Sequence, residues 1–229
     1  MDKQPHDIAA LVMALDDEDY RRQEAVIEEL AAIGGPAVPA LTQALEEPSA
    51  RIRYGAVSAL GMIGKPGEAA APTLLRMLRQ GERPEMPGQL DFRAEAAAAL
   101  GDIGARTAVP ALIEALQDVN YLCVCAALAL GQLGDLAAVG PLVRVLMDED
   151  KFWVPRGAAA VALGRLGRSA ESAIPALTKA LEFDPAKSGE KWDERAREAV
   201  ADALRRIGDP SAPSSLQGKG YRYEMWGIY

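Results

Sequence analysis

The sequence predicts an all-α protein, a right-handed α-solenoid of about six stacked helix pairs. Three observations predict it. A phrase ending in Ile-Gly or Leu-Gly returns six times: AVIEELAAIG, AVSALGMIG, AAAALGDIG, ALALGQLG, AVALGRLG and AVADALRRIG. A second phrase follows most of them, as VPALTQAL, APTLLRML, VPALIEAL, GPLVRVL and IPALTKAL. The composition is 49% apolar but only 5% aromatic, so the core is built from small aliphatic side chains that suit close-packed helices better than a β-sandwich.

Each element follows from its punctuation. Pro39, Pro72, Pro110, Pro141 and Pro175 stand where a helix begins, because the first turn has no use for the missing N–H. Gly34, Gly64, Gly104, Gly134, Gly167 and Gly208 close the helices, as left-handed C-terminal caps. Every unit is therefore a short helix A, a turn, a longer helix B and a Gly/Pro corner. Neither helix can bury its apolar stripe alone, so the units must stack. Counting from helix A, the repeats lie near 6–34, 37–64, 71–104, 108–134, 139–167 and 173–208. Residues 1–210 then form one repeat array, and residues 211–229 an aromatic tail or cap containing Tyr221, Tyr223, Trp226 and Tyr229.

The wording PALxxAL…VRxxAAxALGxIG resembles the HEAT repeat, in the subtype named after phycobilisome lyases. Two further sets of positions fit that resemblance. Eleven residues before the closing glycines stand Gln23, Arg53, Arg93, Cys123, Arg156 and Arg197. Just after helix A stand Asp17, Glu47, Gln80, Asp118, Asp148 and Phe183. The resemblance implies a structural ladder in which Asp17, Asp118 and Asp148 and Arg53, Arg93, Arg156 and Arg197 tie each turn to its neighbour. Gln80 and Phe183 interrupt it where the A–B turn lengthens, at 80–91 and 182–193. Those long turns read either as tolerated insertions or as part of a binding face.

At ~100° per residue, positions 1, 4, 5, 8 and 12 before each closing glycine form the core stripe, as in Leu100, Ala96 and Ile103. The opposite stripe lies 2, 3, 6, 10 and 13 residues before it, and the resemblance implies that this stripe lines the concave side. In repeats one and six it is charged. In the middle repeats it is apolar or small, and NYLCVCAALALGQLG carries no charge at all. The candidate groove residues are Tyr54, Met62, Tyr121, Val124, Leu128, Trp153 and Val161. Glycine and alanine between them are expected to let a ligand backbone or flat ring approach closely. The competing expectation is that curvature, the long turns or the tail covers this stripe.

Chemistry is largely excluded. His6 is the single histidine, so neither a Ser–His–Asp site nor a His-Glu iron site of the kind found in HEAT hydroxylases can be assembled. Cys123 and Cys125 project ~200° apart on a helix and cannot chelate one ion together. No catalytic residue, metal or cofactor is expected. A net charge of −8 disfavours nucleic acid and anionic membrane, and no segment reaches the roughly 18 apolar residues of a membrane span. The acidic start and the two cysteines fit a reduced, cytoplasmic protein. The expected function is a non-catalytic scaffold for a protein or peptide partner. The resemblance also implies an alternative, a bilin-lyase or pigment-chaperone subunit that cradles a linear tetrapyrrole. Self-association into a homo-oligomer is a third.

Overall fold

The computed structural model describes residues 7–81, 89–118, 121–182 and 194–209. The tail 211–229, His6, Phe183 and most of the two long turns lie outside them. Among the described residues twelve α-helices pair as A and B in six repeats: α1 (Ile8–Ala14) with α2 (Tyr20–Ile33), α3 (Val38–Ala44) with α4 (Ala50–Ile63), α5 (Ala71–Gln80) with α6 (Phe92–Asp102), α7 (Val109–Ala115) with α8 (Tyr121–Leu133), α9 (Val139–Met147) with α10 (Trp153–Leu166), and α11 (Ile174–Leu181) with α12 (Glu194–Ile207). The described residues contain no strand. The fold class is the all-α solenoid that the repeats predict. The chain divides into two compact units, Met1–Ala111 and Leu112–Tyr229.

Local chemistry sets the helix ends. Asp19, Ser49 and Asp91 each cap a B helix by accepting a backbone N–H of its first turn, at 3.0, 3.4 and 3.0 Å. All six closing glycines have positive φ. At Gly34, Gly64 and Gly167 the ψ values are −137°, −140° and −142°, well away from the left-handed helical cap that the sequence suggests. That backbone region is closed to any residue with a Cβ, so asparagine is as unsuitable there as alanine. Short 3₁₀ turns at Gly35–Ala37, Lys65–Ala70, Arg106–Ala108, Leu136–Ala138 and Gly167–Ala173 then lead into helix A of repeats two to six.

The core stripe is where the periodicity places it. In the first unit Leu15, Leu30, Leu41, Leu60, Leu74 and Leu100 are wholly buried, and in the second Leu116, Leu130, Leu142, Leu163 and Leu177 are at most 1% exposed. Each such leucine contributes roughly 1.5–3 kcal/mol, so helix pairs that are marginal alone become stable by stacking. No single described helix is long and apolar enough to cross a membrane.

Candidate binding surface

Within each unit the B helices stack side by side, and glycine sets how closely. A methyl group on Gly131 would lie 2.7 Å from Ala162 Cα, and one on Gly164 would lie 2.9 Å from Ala203 Cα. In the first unit the same repeat position, Gly61, is looser: Ala99 Cα is 3.8 Å away and the flexible Asp102 carboxylate 3.2 Å. These glycines were expected to open a groove for a ligand. Instead they let the next helix B approach backbone to backbone, and the small-residue stripe is consumed by internal packing.

Val124 is corrected for the same reason. It sits seven residues before Gly131, two helical turns away on the same side, and that side faces α10; the valine is only 4% exposed. What remains outside is a narrower row. In the first unit, Met62 is 59% exposed and Tyr54 half-buried. In the second, Tyr121 is 37% exposed, while Leu128, Trp153 and Val161 are half-buried. Arg165 lies along this row, its Nη1 donating to the Leu128 carbonyl at 3.3 Å. Pro155 falls in the first turn of α10, which begins at Trp153, so Trp153 and Val154 are helical.

The aromatic residue that periodicity missed is Phe152. It occupies the N-cap of α10 and is 70% exposed, the most open large apolar side chain among the described residues. It supplies no side-chain cap, whereas Asp19, Ser49 and Asp91 do so at the matching place. Comparing N-cap positions between repeats would have revealed it.

The ladder positions hold the A–B turns through backbone carbonyls. In five of the six repeats the residue eleven before the closing glycine reaches back to the carbonyl end of its own repeat's helix A. Gln23 donates to Leu15 O at 2.8 Å, Arg53 to Glu47 O and Pro48 O at 2.7 Å, Arg156 to Leu146 O at 2.9 Å and Arg197 to Leu181 O at 3.4 Å. Cys123 does the same more weakly, its Sγ 3.3 Å from Leu116 O. These groups satisfy carbonyls that a helix C-terminus leaves without partners. Arg93 instead forms a buried two-point pair with Asp91, at 3.0 and 2.6 Å. Asp17 and Asp148 accept backbone N–H groups two residues on, from Asp19 and Asp150, and so shape their own turns.

Ties between repeats run through ladder and other positions alike, and Gln23 also donates to the Arg51 carbonyl of repeat two at 3.2 Å. Asp16 accepts from Ser49 Oγ at 2.5 Å and from Arg51 Nε at 3.2 Å, and these partners hold its carboxyl below the usual range, the serine first. The Arg53 guanidinium lies 4.7 Å over the Phe92 ring. Lys151, only 8% exposed, donates to the Asp118 carbonyl at 2.8 Å and joins the A–B turns of repeats four and five.

Reactive chemistry finds little support in these side chains. Burial pushes the Cys123 thiol up to about 11, so it is protonated at neutral pH and is a poor nucleophile or metal ligand. Burial, and then the neighbouring Asp91 charge, also raises the Glu95 carboxyl. Among the described residues no three His, Cys, Asp or Glu side chains come together as a metal site. A shallow open cleft is walled by Leu45, Glu46, Thr73, Arg76 and Met77, all from helix A segments of repeats two and three.

The comparisons with known proteins agree with this architecture. Residues 8–86 match HEAT repeats, and residues 92–118 and 155–183 match the PBS lyase HEAT-like repeat. No curated relative matches the chain. Among solved structures, it is similar to the complex of CpcE and CpcF of phycocyanin lyase from Nostoc sp. PCC7120, with 28% identity over 75% of this chain and a TM-score of 0.61. The match spans 65% of that neighbour's own length. It is also similar to an engineered protein (21% identity, 89% of this chain and 97% of the other, TM-score 0.53) and to a designed armadillo repeat protein in complex with the peptide (KR)4 (17% identity, 88% and 99%, TM-score 0.52). The last two establish the fold alone.

Proposed function

Because this chain belongs to the HEAT-repeat family, with repeats of the PBS lyase HEAT-like kind, we infer that it is a non-catalytic scaffold that binds a protein or peptide through the concave-side stripe of its B helices. The observation carrying this reading is the row left uncovered once the glycines are spent on stacking: Met62 in the first unit, and Tyr121, Leu128 and Val161 in the second. Rows of apolar side chains on a surface that is otherwise charged are where partners bind. The 28%-identical neighbour, itself a complex of two proteins, supports a protein partner in general.

Leu128 is the test residue because it lies between Tyr121 and Val161 in the second unit and is only half-buried. Leu128→Glu is expected to reduce capture of partner protein from host extract at least tenfold. If capture survives unchanged, the row is not the contact face. Light scattering of the same two proteins covers the case in which the partner is a second copy, since only then does the variant lose mass.

A second reading rests on one observation, the phycocyanin lyase neighbour. In that reading the same row cradles a linear tetrapyrrole as part of a lyase or pigment-chaperone subunit. Mixing the purified protein with phycocyanobilin is then expected to shift and sharpen the pigment's visible absorption band, and Leu128→Glu to abolish the shift. An unaltered spectrum removes the pigment reading and leaves the scaffold.

A further inference from the structure

Resting on the scaffold reading, we propose that the A–B edge of repeats four and five is a docking point for a partner segment that presents an apolar side chain next to several basic ones. The apolar part is Phe152, with Trp153 and Tyr121 at the starts of the two neighbouring B helices. Phe152 stands where repeats one to three keep a capping Asp or Ser, so this repeat forgoes a cap and exposes a phenyl ring. Neither change stabilises the folded chain. Local rules broken without a packing gain mark functional positions.

The charge around the ring selects the partner. Glu149 and Asp150 are exposed and Asp148 half-exposed, immediately before Phe152. The cations nearest the ring in sequence are withdrawn, Lys151 turning inward to the Asp118 carbonyl and Arg156 lying 2% exposed against Leu146 O, while the exposed Arg144 stands in the last turn of α9, ahead of Phe152. The outward charge on residues 148–152 is therefore wholly negative around an open aromatic ring. A net charge of −8 draws a basic partner from a distance as well. An acidic or purely apolar segment would meet either repulsion or an unmatched rim.

Fluorescence anisotropy with a labelled peptide of two leucines and four lysines tests this on the full chain. The wild type is expected to bind it, roughly tenfold more weakly in 300 mM than in 50 mM salt. Phe152→Ser is expected to weaken binding at least fivefold while raising the melting temperature by about 2–4 °C, because serine restores the cap. Glu149→Gln with Asp150→Asn is expected to weaken the lysine peptide and to leave a four-glutamate counterpart unaffected. Failure of the wild type to bind the lysine peptide, or equal binding of the glutamate peptide, overturns the proposal. So does Phe152→Ser that melts lower and binds normally, since Phe152 would then be structural. Binding lost in Leu128→Glu but kept in Phe152→Ser overturns this docking point while sparing the scaffold reading. Loss in Phe152→Ser alone supports it.

Discussion

Gly131→Val is expected to destabilise the protein by about 3 kcal/mol, which lowers the thermal midpoint by about 6–12 °C for a chain of this size. Even the first added carbon would stand 2.7 Å from Ala162 Cα and 3.2 Å from its carbonyl oxygen. Those are backbone atoms of a packed helix, so the overlap cannot be relieved by one side chain swinging aside. Either α8 and α10 separate, uncovering Val124 and the alanines between them, or both helices bend. Gly61→Ala provides the contrast, since its nearest contact is the movable Asp102 carboxylate at 3.2 Å. It is expected to cost less than about 1 kcal/mol. Calorimetric melting of the two variants side by side measures the difference.

Arg156→Ala is expected to cost a similar amount, about 3 kcal/mol. The side chain is 2% exposed and its Nε holds the Leu146 carbonyl at 2.9 Å, closing the C-terminal end of α9. Alanine leaves a buried carbonyl without this donor and opens a cavity the length of the arginine stem. Arg197 occupies the matching position in repeat six, yet it is exposed and its contact with Leu181 O is 3.4 Å long. Water replaces that contact readily, so Arg197→Ala is expected to fall within about 0.5 kcal/mol of the wild type. Urea unfolding of both variants checks whether burial, rather than repeat position, decides the cost.

The fold was legible because it is written in residues with few alternatives. A glycine after Ile or Leu and a proline at the next helix start mark the boundaries, and the six positive φ values fall on the six glycines the repeats single out. The core stripe was legible from periodicity, which concerns one helix at a time. Val124 was misplaced because its burial depends on how near α10 lies, a distance between repeats that no single helix encodes. The turn ladder was legible as a set of positions and not as a set of partners. Asp17 and Asp148 recur in register, but an aspartate two residues before a free N–H finds a partner in its own turn first. Phe152 escaped notice since it lies outside the helical pattern altogether, and what identifies it is a missing cap.

In the scaffold reading two stripes of the middle B helices have separate duties, one spent on the neighbouring helix and one left for a partner. Ala129 and Leu128 are adjacent in sequence and belong to different stripes: Ala129 is 1% exposed and Leu128 half-exposed. Thermal melting of Ala129→Glu against Leu128→Glu, followed by circular dichroism, tests the division directly. The account predicts that Ala129→Glu loses cooperative unfolding or drops by about 10 °C or more, because a carboxylate is forced between packed helices. It predicts that Leu128→Glu melts within about 2–3 °C of the wild type. Equal losses in the two variants would contradict it, because Leu128 would then be core and no face would remain for a partner.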